Sequence, residues 1–145
     1  MKRNMEHNMG VLKLFLDTTV LLSSILNRNK NSWALLNIKY PNFELITNNT
    51  SIKEMRRVLR EEYNFSDEKI NASVDFIEGV CKVVKTPKKE EFLIYQLRDK
   101  SDRPLICSAI KEGCDYLVTE DQRFNADAQR YIPTLRPKDV IEYRR

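Results

Sequence analysis

The chain has 145 residues, 41% hydrophobic and 32% charged, with only three glycines and five prolines. That is enough for one hydrophobic core and too little for two, and the composition excludes disordered and repetitive classes. The formal charge of +4 with a pI near 9.0 attracts polyanions modestly and by itself names no partner. No apolar stretch reaches the roughly 18 residues that cross a bilayer, because Lys13, Asp17 and Lys111 interrupt the longest runs.

In chain order, residues 1–10, MKRNMEHNMG, are basic and have no apolar h-region. They read as a flexible leader rather than a secretory signal, followed by one domain over residues 11–145 in a cytoplasmic protein. Val11–Leu16 has the short, almost unbroken apolar character of a buried parallel strand, and Asp17 follows at its carboxyl end. Val20–Leu26 reads as a helix, with the hydroxyls of Thr18 and Thr19 available to cap it. After the polar turn Asn27–Asn31, a helix is predicted over Ser32–Tyr40, with Trp33, Leu36 and Tyr40 at helical spacing and Pro41 and Asn42 ending it. Phe43–Thr47 alternates as a second strand, and Asn48–Thr50 reads as a turn.

Ser51–Arg60 is the next predicted helix, with Ile52, Met55 and Leu59 inward and Lys53, Arg56, Arg57 and Arg60 outward. Another runs from Ser66 to about Val80, with Asp67 and Glu68 in its first turn. Cys81–Lys85 is a short strand, while Thr86–Lys100 has no period that decides between strand and helix. Arg103–Glu112 is a helix with Pro104 in its first turn and Gly113 just past its end. Asp115–Thr119 is a strand, Glu120–Arg130 a loop with a short helix, Ile132–Leu135 an edge strand because of Pro133, and Lys138–Tyr143 a closing helix. This alternation of strand and helix predicts a three-layer α/β/α sandwich around a mostly parallel sheet.

The chemistry open to such a chain is narrow. Its single histidine, His7, lies in the leader, which leaves none for a Ser-His pair or a histidine-bound zinc. Cys81, Cys107 and Cys114 lack metal or redox spacing and read as small buried hydrophobes. Carboxylates remain. Asp17 and Asp121 each follow a strand, and in an open α/β sheet that edge is where ligands bind. Each has an ordinary structural reading beside it: Asp121 as a turn or cap, Glu54 as the far end of a Ser51–Glu54 capping box, Asp102 as an N-cap before Pro104. Asp99 and Glu120 are rivals by position. If several of these acids share one site they repel, and hard divalent cations with oxygen preference relieve that repulsion.

Two ordered motifs in these residues resemble the PIN domain family, specifically its toxin-like, VapC-type metal-dependent ribonucleases. The family's opening LDTNVLL is similar to Leu16-Asp17-Thr18-Thr19-Val20-Leu21-Leu22. Its late motif is similar to Asp102-Arg103-Pro104 followed by Asp115-Tyr116-Leu117-Val118-Thr119-Glu120-Asp121 and Phe124, and the resemblance spans Val11 to about Tyr143. It implies that Asp17, Glu54, Asp102 and Asp121 bind Mg²⁺ or Mn²⁺ and activate water for RNA cleavage, supported by Thr18 and Thr119. It further implies a homodimer neutralised by a cognate antitoxin protein. Thr19 departs from the motif's asparagine and can offer only a hydroxyl. On this reading Arg56, Arg57 or Arg60 attracts the RNA backbone. The alternative is a catalytically impaired PIN-like module that binds RNA or a partner. A phosphoaspartate enzyme is set aside, because Thr19 stands where its second aspartate belongs.

Overall fold

The computed structural model describes residues 11–26, 30–37 and 42–144. The expected leader, most of the turn before the second helix, and Tyr40 with Pro41 lie outside these residues.

The first strand, β1 (Leu12–Leu16), forms where the apolar run predicts it and is followed by α1 (Thr18–Leu26), α2 (Lys30–Asn37) and β2 (Phe43–Asn48). Then come α3 (Asn49–Glu61), α4 (Asp67–Val80), β3 (Lys82–Val84) and the single-turn α5 (Lys89–Phe92). A 3-10 turn at Lys100–Asp102 leads into α6 (Arg103–Lys111), β4 (Tyr116–Val118), α7 (Gln122–Ala128), β5 (Thr134–Leu135) and α8 (Pro137–Arg144). The five strands lie in the order β3-β2-β1-β4-β5, and every pairing is parallel. The sheet is therefore wholly parallel, and β1 is its central strand.

Side chains alternate across β1, and the two resulting cores explain the layers. Leu12, Leu14 and Leu16 pack with Val20, Leu36, Met55, Leu59, Ile70, Ile77 and Val140 on one face. Phe15 packs with Ile46, Leu105, Ile106, Leu117 and Phe124 on the other. Helices α1 to α4 and α8 thus cover one side and α6 and α7 the other, which is the predicted α/β/α sandwich. Lys13, the interruption in the first strand, is accommodated because its Nζ donates to the Glu112 carbonyl just past the end of α6. A cation there meets the negative end of the helix.

Several local expectations are corrected. Thr18 and Thr19 do not cap α1; they are inside it, and the side chain that accepts from its first turn is that of Asp17. Asn48 ends β2 and also caps α3, accepting from the Ser51 N–H at 2.9 Å, so the helix begins earlier than predicted. The Ser51–Glu54 capping box does not form, since Ser51 is inside the helix and buried. Trp33 is half exposed, and the buried stripe of α2 is Ser32, Leu35 and Leu36. Cys114 is only partly buried, unlike Cys81 and Cys107. Ser66 caps α4 and Gly113 takes φ of +68° after α6, both as the sequence reading expects.

Candidate active site

The chain reverses direction of travel across the sheet at β1, whose neighbours are β2 on one side and β4 on the other. The carboxyl ends of strands beside such a switch point open a crevice that helices cannot fill. Asp17 stands at the end of β1, Thr119 to Asp121 at the end of β4, and Asn48 at the end of β2. The same edge carries the starts of α1, α3, α6 and α7, whose free N–H groups favour acidic side chains.

Asp17 is 2% exposed. Its Oδ1 accepts from Thr19 Oγ1 at 2.6 Å and from the Val20 N–H at 3.2 Å, and its Oδ2 accepts from Thr119 Oγ1 at 2.5 Å. Burial pushes its pKa up to about 6; the bonds from Thr119, Thr19 and Val20 oppose the shift, and the charge of Asp121 adds to it. Two lone pairs on Oδ1 are engaged and one on Oδ2, so Oδ2 retains capacity for a ligand.

Asp102 precedes α6 as predicted, yet its carboxylate caps nothing. Burial first, then repulsion from Asp99, Asp17, Asp121 and Asp127, raise its pKa to about 7. The ordinary reading of Asp102 as a cap is therefore replaced by a partly buried carboxyl without a helix-capping bond. Asp121 does cap α7, accepting from the N–H groups of Arg123 at 2.9 Å and Phe124 at 3.2 Å through Oδ1. Its own N–H donates to Thr119 Oγ1 at 3.0 Å, so one hydroxyl links Asp17 to Asp121. Glu54, on the second turn of α3, is half exposed and forms an ion pair with Arg57 at 2.5 Å.

These four acids line one cleft of about 310 Å³, together with Thr18, Thr19, Thr50, Asp99 and Ser101. Asp99 is a rival that the structure brings to the same wall, where the hydroxyl and N–H of Ser101 hold it below the ordinary carboxylate range. Glu120 is not among the residues of that wall; its backbone N–H donates to Thr19 Oγ1 at 3.2 Å. Of the supporting hydroxyls, Thr119 bonds Asp17 directly, and the second bond comes from Thr19 rather than Thr18. Thr19 is the residue whose part the sequence did not disclose. Its signal was the departure from the motif, read there as a loss.

The donor set suits a hard divalent cation. It contains only oxygens, and beside burial, the larger cause, the charge of Asp121 raises Asp17 and the charges of Asp99, Asp17, Asp121 and Asp127 raise Asp102, a crowding that a counter-ion would relieve. Among the described residues no three acidic, cysteine or histidine side chains close into a ligand cage. Mg²⁺ and similar ions keep several waters and need only one or two carboxylates at first contact, so an open acidic wall is compatible with them. The predicted basic face lies on α3: Arg57 pairs with Glu54 and Glu61, Arg60 with Asp67, and Arg56 donates to Asn71.

Known structures share this architecture. The chain is similar to VapBC2 from Rickettsia felis bound to a DNA fragment from its promoter, with a TM-score of 0.67 and 13% identity over 86% of this chain and 98% of that one. It is similar to DNA-bound VapBC from Salmonella typhimurium, at TM-score 0.65 and 16% identity over 88% and 99%. It also resembles the Sarcin-Ricin loop cleaving toxin VapC20 of Mycobacterium tuberculosis, at TM-score 0.59 and 16% identity over 78% and 93%. At these identities the likeness is one of fold. No curated protein matches the sequence itself. The family model described as PIN domain matches residues 13–123. That span runs from β1 through the acidic strand ends to the first turn of α7, and the chain belongs to the PIN domain family.

Proposed function

We propose that this chain is a Mg²⁺- or Mn²⁺-dependent endoribonuclease and the toxin of a toxin–antitoxin pair. The observation that carries the reading is Asp17: a carboxylate buried at the switch point of a parallel sheet, held by two threonine hydroxyls, with Asp102 and Asp121 close enough to repel it. Asp17, Asp102, Asp121 and Glu54 would hold the metal. When bound, the cation supplies a nucleophile from water and stabilises charge on the phosphate. Thr19 and Thr119 fix the rotamer of Asp17, and Asp121 is fixed by its bonds to the start of α7. Asp102, pushed up to about 7 by burial and its acidic neighbours, is the carboxyl whose ionised form a bound cation would favour most. The VapBC complexes support an antitoxin partner, and the Sarcin-Ricin loop cleaving toxin supports an RNA substrate; a homodimer in the cytoplasm is what the sequence resemblance adds to the proposal. No helix among the described residues is long and apolar enough to cross a membrane.

One observation favours the second reading, a binding module without catalysis: Glu54 is engaged by Arg57 instead of standing free in the cleft. The experiment is cleavage of a mixed single-stranded RNA pool with Mn²⁺ or Mg²⁺, with EDTA and Asp17→Asn as controls. Cleavage lost in both controls supports the nuclease. Equal inactivity of wild type and variant, with equal RNA or partner binding, supports the module.

A further inference from the structure

Beyond the acidic cleft, the segment before α6 and the end of α7 enclose a second pocket of about 370 Å³. Arg98, Lys100, Arg103 and Arg130 wall it, and Asp127 is the one carboxylate in its lining. Asp127 is taken by Arg98, whose Nε donates to it at 2.9 Å. Lys100, Arg103 and Arg130 have no ion pair among the described residues, so the pocket carries a net positive charge.

Two of these cations, Arg103 and Arg130, are oriented mainly by neutral groups, with the charge of Arg130 also felt at Asp127. Arg103 Nε donates to the Lys100 carbonyl at 3.1 Å and its guanidinium lies 5.7 Å from the centre of the Phe92 ring. Arg130 Nη1 donates to the Gln96 carbonyl at 3.3 Å, with its guanidinium 5.6 Å from the Tyr131 ring. Carbonyl and ring contacts restrict a guanidinium without neutralising it, which leaves a preorganised donor fork for an anion. Phosphate oxygens are the acceptors that such a fork matches.

The position of the pocket says which phosphate. A smaller cavity of about 150 Å³ lies between the two sites. It shares Arg98 and Asp127 with the basic pocket, and Asp99, Asp102 and Asp121 with the acidic cleft. Acidic and basic walls thus form adjoining stretches of one trough. The basic face of α3 differs, since Arg57 and Arg60 are already paired with carboxylates.

We propose that this pocket is the subsite that holds the backbone phosphates of single-stranded RNA beside the acidic cleft, with Arg103, Arg130 and Lys100 as its donors. The assignment rests on the nuclease reading above for its choice of RNA. The test is fluorescence anisotropy of a short labelled single-stranded RNA in EDTA, so that binding is read without cleavage. Arg103→Gln with Arg130→Gln should weaken binding roughly tenfold or more and lower the slope of log K against log salt by about two. Lys100→Gln, which disturbs neither arginine's side-chain contacts, should lower the slope by about one. Arg56→Gln with Arg60→Gln should weaken binding less than the pocket pair does. Equal or larger loss in the α3 pair overturns the proposal. So does a polyglutamate peptide that, at equal charge, binds more tightly than RNA with the same dependence on Arg103 and Arg130, since the pocket would then belong to an acidic protein segment. Wild-type cleavage with unchanged binding in every variant removes the pocket and leaves the nuclease. Loss of binding in the pocket variants, with no cleavage by wild type, retains the pocket as a phosphate subsite and removes the nuclease.

Discussion

Thr19 stands where the chain departs from the motif it otherwise resembles, and its hydroxyl donates to Asp17 while accepting from the N–H of Glu120. One side chain thus ties the end of β1 to the loop after β4. Valine keeps the branched shape and removes both bonds, so Thr19→Val should lose about 1–2 kcal/mol in urea denaturation; an unchanged midpoint would show the hydroxyl to be idle. Asp102 is the opposite case, because its carboxylate caps nothing and suffers repulsion from four other acids. Asp102→Asn should raise the metal-free Tm by roughly 2–4 °C at pH 7.5 while RNA cleavage disappears. A lower Tm would mean that the negative charge stabilises the fold. The positions of Asp17 and Asp121 were legible in the sequence because each follows a strand, whereas the local pattern at Asp102 read as a cap and only the family resemblance brought it to the site. Thr19 was not, because its role depends on a contact with a loop far along the chain, which no local period encodes.

At the scale of elements, the site depends on where the helices begin, and Asn48 governs two of them. Its Oδ1 caps α3, and its Nδ2 donates to Ser108 Oγ at 2.8 Å and to the Pro104 carbonyl at 3.3 Å, both on α6. This buried amide sets the spacing between the helix that carries Glu54 and the one that follows Asp102. Asn48→Ala removes the cap and leaves buried groups without partners, so it should destabilise by about 2–3 kcal/mol, read from the denaturant midpoint. Asn48→Asp keeps the cap acceptor but loses the donor and sets a buried carboxylate against the Pro104 carbonyl, so it should cost at least as much as alanine; a smaller cost would place the effect in the cap rather than in the link to α6. The strands and the longer helices were readable from their apolar spacing. Asn48 was read as a turn because its local sequence fits one, and Ser51 as a cap because its own motif is a good one; the tertiary link to α6 decides between them. For the same reason 86–100 could not be read: its one short helix, α5, packs against α6 and repeats no apolar period of its own.

For the whole molecule, the titration of the acidic wall sets how stability depends on pH. Asp17 and Asp102 have folded values of about 6 and about 7. Between the ordinary carboxylate range near 4 and those values, the folded state binds more protons than the unfolded chain. Stability contributed by these two groups is therefore present at low pH and lost as pH rises through that window. Asp99, Asp127 and Glu91 act in the other sense, since bonds from Ser101, Arg98 and Lys111 lower them; their contribution is lost as pH falls below the ordinary range. The metal-free protein should consequently be most stable at roughly pH 4–5 and less stable at pH 8. A divalent cation that binds the ionised wall replaces the missing protons, so its stabilisation must grow with pH. Differential scanning fluorimetry in EDTA and in millimolar Mn²⁺ or Mg²⁺ measures both effects. The cation should raise Tm by several degrees at pH 8 and by much less at pH 5, and Asp102→Asn should flatten the pH dependence and shrink the cation's shift together. A metal-free Tm that climbs steadily from pH 5 to pH 8, or a cation shift of the same size at both ends, would mean that the crowded carboxylates are neither strained nor the place where the ion binds.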